Sequence, residues 1–296
     1  MKPTVFIHTN KTQLLGAKIS AYALQRASRH ADEFNVQLIE LENYPHLLNY
    51  EGHAFARDGE QVAWHYAEMQ SFTLLRFLPP QLMNYEGRSI VIDPDIFAIG
   101  DVWELLSRDM EGKSVMARKK GDAWATSCML MDNAKLTSWK WEQQVDEMFA
   151  GHRDYQKWVN LALEPAGSIG VLEDVWNDFD HLDEHTKCVH NTRRITQPWR
   201  TGLPFHDLHQ TAASREKKQK SLKYKVRALL GKQKDTHRPH PDKRQQDFFF
   251  GLVSECLEKG IVSKELLQTE ITEGRLRADA FDVISSTPTL DKTLGS

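Results

Sequence analysis

The chain has 296 residues, 40% of them apolar, and a net charge of −3; that is enough core for one large or two modest domains, without the molecule-wide basic field of a nucleic-acid binder. Three cysteines, Cys128, Cys188 and Cys256, are odd in number and far apart, which argues against a disulfide framework or a paired-cysteine zinc site and for a reducing compartment. The opening MKPTVFIHTN has no apolar signal core, and no run of about 18 apolar residues occurs, so a cytoplasmic protein without a membrane span is expected.

Residues 4–9 (TVFIHT) are β-branched and aromatic and read as a strand, and residues 14–29 carry apolar side chains at helical spacing, which makes a βα unit. Residues 35–41 read as a second strand, residues 71–78 as a helix closed by Pro79 and Pro80, and residues 89–92 as a strand buried on both faces. A short helix at 102–107, strands at 114–118 and 126–131, and a helix at 136–149 follow, while residues 44–61 carry no readable motif. This alternation marks an α/β layer fold with a largely parallel sheet.

Composition changes near Leu208. Residues 215–244 hold twelve Lys or Arg against three Asp or Glu, and SLKYKVRALLGK interleaves apolar and basic residues in a partly amphipathic pattern. Residues 248–281 read as two short helices. The expected organisation is a domain over 1–210, a basic linker or amphipathic segment over 211–246, a helical region over 247–284 and a frayed tail over 285–296.

The stretch IVIDPDIF carries the most pointed chemical signal. Pro94 disfavours helical backbone at Asp93, so the strand extends through it to the sheet's carboxyl edge, where open α/β sheets bind ligands. Two carboxylates there repel unless a proton or a cation lies between them, and hard oxygen donors suit Mg²⁺ or Mn²⁺. The same residues also fit a turn that Asp93 caps, with Asp95 merely solvated.

Five blocks then occur in a telling order: FTLLRFLPPQL (residues 72–82), VIDPDIFAIGDVWEL (91–105), SCMLMDNAKL (127–136), DYQKWVN (154–160) and HNTRRITQPWRTG (190–202). Together they resemble glycosyltransferase family eight over about two-thirds of the chain. The resemblance implies a GT-A, Rossmann-like nucleotide-diphospho-sugar transferase fold, here with a C-terminal helical extension. It also implies a retaining transfer from a nucleotide sugar, UDP-linked in this reading, to an acceptor hydroxyl of a lipopolysaccharide or other cell-surface glycan.

By that resemblance Asp93, Asp95 and His190 are the metal ligands, and the mixed carboxylate and imidazole set leans to Mn²⁺ over Mg²⁺. Arg76 contacts the donor diphosphate, His8, Thr9 and Asn10 form the base and ribose edge, and Gln156 lies near the anomeric carbon as nucleophile or stabiliser, with Asp154 and Asn160 in the same pocket. Trp199 belongs to the matching PW block, whereas Trp158 and Trp176 read as core. The departures are Arg193 at the family's glycine, Gln197 at its phosphate-binding lysine, one extra residue in that block, and Thr126 and Ser127 at its asparagine-glycine pair. Arg193 or Arg194 is expected to replace the lysine electrostatically.

Basic C-terminal regions of bacterial members imply further that residues 215–244 hold the protein on the inner face of an anionic membrane; a solvated linker helix is the competing reading. Two other function classes remain at this stage: a non-catalytic sugar-nucleotide or polysaccharide binding module, and a metal-dependent nucleotidyl transferase.

Overall fold

The computed structural model describes residues 1–57, 59–205 and 236–295. Residues 215–235, and with them most of the basic segment, lie outside the described residues. The chain divides into two compact units, residues 1–190 and 191–296.

The first unit is built on a six-stranded sheet of order β2-β1-β5-β8-β7-β9, formed by β1 (Thr4–Thr9), β2 (Asn35–Glu40), β5 (Arg88–Ile92), β7 (Val115–Lys120), β8 (Ala123–Asp132) and β9 (Ile169–Val171). β1 runs parallel to β2 and β5, and β9 parallel to β7; β8 alone is antiparallel to its neighbours. The largely parallel α/β sheet expected from the alternation is therefore present. Successive strand residues face opposite sides, and both sides are covered. Phe6, Val91 and Met129 join one apolar cluster with Phe77, Trp139 and Trp158; Val5, Ile7, Ile90, Ile92 and Leu130 join another with Ala17 and Leu24 of helix α1 (Leu14–Ala27). Burial on two faces explains why β1 and β5 read as continuous apolar runs.

A second, three-stranded sheet has the order β10-β11-β6, from β6 (Ile96–Ala98), β10 (Asp178–Phe179) and β11 (Cys188–His190). A hairpin of β3 (Ala54–Arg57) and β4 (Glu60–Ala63) occupies the stretch in which the sequence offered no motif. Its Phe55 is buried against Tyr155.

Two helices differ from expectation. The segment expected as a helix over 71–78 is a 3-10 turn, Thr73–Phe77, and Pro79 and Pro80 open a short helix, Pro79–Leu82, instead of closing the preceding one. Proline suits the first helical turn because the amide it lacks has no partner there. The helix expected over 136–149 begins only at Trp141.

The second unit carries helices Lys243–Glu258, Lys264–Thr272 and Ala280–Ser286, the first two capped by Asp242 and Ser263. The tail expected to fray forms a further helix, Leu290–Leu294, whose Leu290 is buried. Its side chain fills the space left by Gly251, where an added Cβ would stand 2.6 Å from Leu290 Cδ2. Among the described residues no helix is long and apolar enough to cross a membrane.

Candidate functional site

The acidic pair sits on a turn that both sheets build. Asp93 N–H donates to Ser127 O (2.9 Å), which prolongs the β5–β8 ladder by one residue, and Ile96 N–H donates back to Asp93 O (3.2 Å). This is a β-turn with Asp93 first, Pro94 second and Asp95 third, the positions at which those residue types are favoured or tolerated. Helix α1 braces it from outside: Ser20 Oγ–H donates to Ile96 O (2.6 Å), and at Gly16 any Cβ would meet Pro94 O at 2.8 Å. The chain leaves the turn as β6, which pairs antiparallel with β11 so that His190 lies opposite Ile96. A three-residue strand pairing thus brings the imidazole next to Asp95 despite 94 intervening positions.

Asp93, Asp95 and His190 each offer one ligand atom, and these atoms lie within 4.8 Å of one another. His190 Nε2 is 3.2 Å from Asp95 Oδ1. Its Nδ1 is 2.8 Å from Asn177 Oδ1, which can only accept. With its proton on Nδ1, a neutral imidazole would turn the Nε2 lone pair toward the carboxylates. Burial alone would lower the His190 pKa, but the Asp95 carboxylate outweighs it and raises the value.

Asp93 is held differently. Arg76 Nε donates to its Oδ1 (3.0 Å) and Nη2 to its Oδ2 (2.6 Å), a two-bond fork, while His8 Nε2 lies 2.7 Å from Oδ1. Burial would raise the Asp93 pKa; Arg76 first, then His8, more than offset this and hold the carboxyl well below the usual range. His8, fully buried, is pulled down by desolvation against the opposing pull of Asp93, so it is the neutral donor in their bond. These contacts take three of about four acceptor positions on the carboxylate, leaving room for one more partner.

The donor set fits a hard divalent cation. Two carboxylates and an imidazole with its far nitrogen engaged form the arrangement that metal-binding histidines adopt.

Other residues singled out by the sequence fall as follows. Arg76 is aimed at Asp93 and not left open, and its Nη1 donates to Thr126 Oγ1 (3.1 Å), which in turn donates to Val159 O (2.8 Å). Thr9 and Asn10 are buried and internally bonded: Thr9 Oγ1 donates to Asn10 O, and Asn10 Nδ2 donates to Ser71 Oγ (3.1 Å) while its Oδ1 accepts from Thr12. Gln156 lies, half-buried, in the first turn of the helix Tyr155–Val159, which Asp154 caps through Lys157 N–H (2.7 Å). Trp158 and Trp176 are core, at 1% and 2% exposure.

In the second unit Gln197 is buried and donates from Nε2 to Asn191 O (2.9 Å), closing its own loop. Trp199 packs on Phe249 with ring centres 4.7 Å apart. Arg193 is exposed and Arg194 half-buried. Sequence reasoning missed Asn177, which sits in no motif; the only local hint is a polar residue directly after the core Trp176.

No protein-family model and no curated protein matches the chain. Solved structures similar to it include the glycosyltransferase GlyE of Streptococcus pneumoniae TIGR4 (15% identity, TM-score 0.49, covering 82% of this chain and 66% of that one). Others are mouse xyloside xylosyltransferase 1 (14%, 0.43, covering 65% and 98%) and the galactosyltransferase LgtC in complex with donor and acceptor sugar analogs (10%, 0.41, covering 66% and 89%). The chain thus spans about two-thirds of the length of the GlyE structure. These neighbours are glycosyltransferases of the family-eight type, and at such identity the likeness concerns the fold alone.

Proposed function

We propose that this protein is a metal-dependent retaining glycosyltransferase that moves a sugar from a nucleotide sugar, UDP-linked in our reading, to an acceptor hydroxyl. The observation that carries the reading is the convergence of Asp93, Asp95 and His190 at the carboxyl edge of the sheet, with donor atoms within 4.8 Å. In chain order these residues stand where the family-eight motifs have their metal ligands.

Asp93, Asp95 and His190 hold Mn²⁺, or less favourably Mg²⁺. Bound there, the ion supplies Lewis-acid stabilisation of the charge that a leaving nucleoside diphosphate develops. Arg76 keeps Asp93 ionised and in place, and the buried His8, Thr9 and Asn10 shape the edge that receives the nucleotide. Gln156 directs its amide dipole at the oxocarbenium-like sugar carbon. A nucleoside diphosphate with its charge neutralised is already a good leaving group, so the transfer needs no acid and base carboxylate pair. Donor-phosphate roles for Arg193 and Arg194, and a donor contact for Trp199, rest on the sequence resemblance; alanine at both arginines should weaken donor affinity if they replace the lysine that Gln197 does not.

A lipopolysaccharide or lipid-linked glycan acceptor, and attachment of residues 215–244 to the inner face of an anionic membrane, complete the proposal. Each basic group near such a surface contributes about 1 kcal/mol. Flotation with phosphatidylglycerol vesicles, with and without that segment, tests the attachment. The test of the main reading is a screen of nucleotide sugars for Mn²⁺-dependent hydrolysis and thermal stabilisation. At least one UDP-sugar should stabilise the protein with Mn²⁺ and lose the effect with a chelator; stabilisation by none of them, under either condition, would overturn the proposal.

A further inference from the structure

Asn177 has no place in the five sequence blocks, yet it is fully buried and its side chain bridges two elements of the site. Nδ2 donates to Ser127 Oγ (2.9 Å) and Oδ1 stands 2.8 Å from His190 Nδ1. Ser127 is itself buried on β8, and its carbonyl accepts the Asp93 amide (2.9 Å). Arg118 Nη1 donates to Asn177 O (2.5 Å), so the backbone of Asn177 is tied down as well.

The ring of His190 has acceptors at both ends. Asn177 Oδ1 faces Nδ1, and the Asp95 carboxylate faces Nε2 at 3.2 Å. A neutral imidazole has one proton to give. If it goes to Asp95, Nε2 has no lone pair for a cation; if it goes to Asn177, Nε2 is free to ligate. Deleting the Asn177 acceptor would leave a ligating His190 with a buried, unpartnered N–H on Nδ1.

We propose that Asn177 is a positioning residue that fixes the Nδ1–H tautomer of His190 and so hands Nε2 to the cation, with Ser127 orienting the amide. This rests on the cation site put forward under the proposed function. It assigns Ser127 a second task besides its ladder bond: through Asn177 it couples the strand next to the acidic turn to the imidazole on β11.

The experiment uses the full chain. Nitrogen-15 NMR of the histidine rings, metal-free and at a pH where the imidazole is neutral, reads the tautomer directly. Mn²⁺ titration followed by EPR, on the unaltered chain and on Asn177→Leu and Asn177→Asp, reads its consequence. The unaltered chain should show His190 as Nδ1–H. Asn177→Leu, which keeps the volume but removes the acceptor, should shift the proton to Nε2 and weaken Mn²⁺ binding about 10–100-fold, the usual effect of losing such an outer partner. Asn177→Asp, whose carboxylate accepts from Nδ1 and from the Ser127 hydroxyl, should retain affinity within a few-fold even if the leucine variant does not fold. An Nε2–H tautomer in the unaltered chain, leucine binding Mn²⁺ normally, or aspartate losing as much affinity as leucine would each overturn the role of Asn177 alone. Absence of Mn²⁺ binding by the unaltered chain would overturn the cation reading together with it.

Discussion

The two ends of the acidic turn are stabilised in opposite ways. At Asp93 a permanent cation, Arg76, and a neutral histidine, His8, grip the carboxylate through bonds of 2.6–3.0 Å. At Asp95 the partner is His190, whose charge can come and go. One carboxylate is therefore ionised before any ligand arrives, whereas the other faces an imidazole whose Nε2 proton, when the ring is charged, a cation can displace. The contrast separates a fixed end of the site, which belongs to the fold, from an exchangeable end, which belongs to the chemistry.

The sharpest way to break this contrast is to remove the fixed cation. Arg76→Ala leaves Asp93 charged and largely buried without its partner, and should cost about 3–5 kcal/mol of stability; chemical denaturation measures it, and a loss below about 1 kcal/mol would put the two ends on an equal footing. Asp95→Asn should do the reverse, leaving the fold near its normal stability while lowering sugar transfer by about two to three orders of magnitude, read in an assay with the donor found by screening. Gly16→Ala presses a methyl group onto Pro94 O, and should cost about 1–3 kcal/mol by overpacking while shifting the turn that carries both aspartates. Thermal melts with and without Mn²⁺ distinguish the two effects.

The smallest expected effect concerns pH, and its sign differs with and without metal. The folded pKa of His190 is raised above its usual value near 6.5. The metal-free fold thus gains stability from the protonated ring below about pH 6.5 and loses it as pH rises through the higher folded value. Cation binding needs the neutral ring, so Mn²⁺ affinity should climb with pH, by at most about tenfold per unit, and level off above the His190 value. Stability and affinity rising together between pH 6 and 8 would contradict the assignment of the exchangeable proton to His190.

Much of the scaffold is legible in the residues. The βα opening, the twice-buried strand Arg88–Ile92 and the turn at Pro94 follow from apolar runs and from the backbone limits of proline. The nearness of His190 to Asp95 was reachable only through the order of the motif blocks, because a three-residue strand such as Cys188–His190 has no local signature of its partner. The commitment of Arg76 to Asp93 was not legible: a basic residue before a strand looks the same whether it meets a phosphate or a carboxylate of its own chain. Nor was Gln197 readable as a loop-closing residue, since an amide that replaces a lysine leaves open whether it faces ligand or backbone. The hairpin at residues 54–63 escaped notice because it is short and only Phe55 within its strands is buried.

The most direct test of a shared cation is anomalous diffraction from crystals soaked in Mn²⁺. A peak bonded to the Asp95 carboxylate and to His190 Nε2, with Asp93 as a further ligand, is the predicted result. A peak only elsewhere, for instance at the half-exposed group Asp178, His181 and Asp183, or no peak with the three side chains ordered as described, would contradict it.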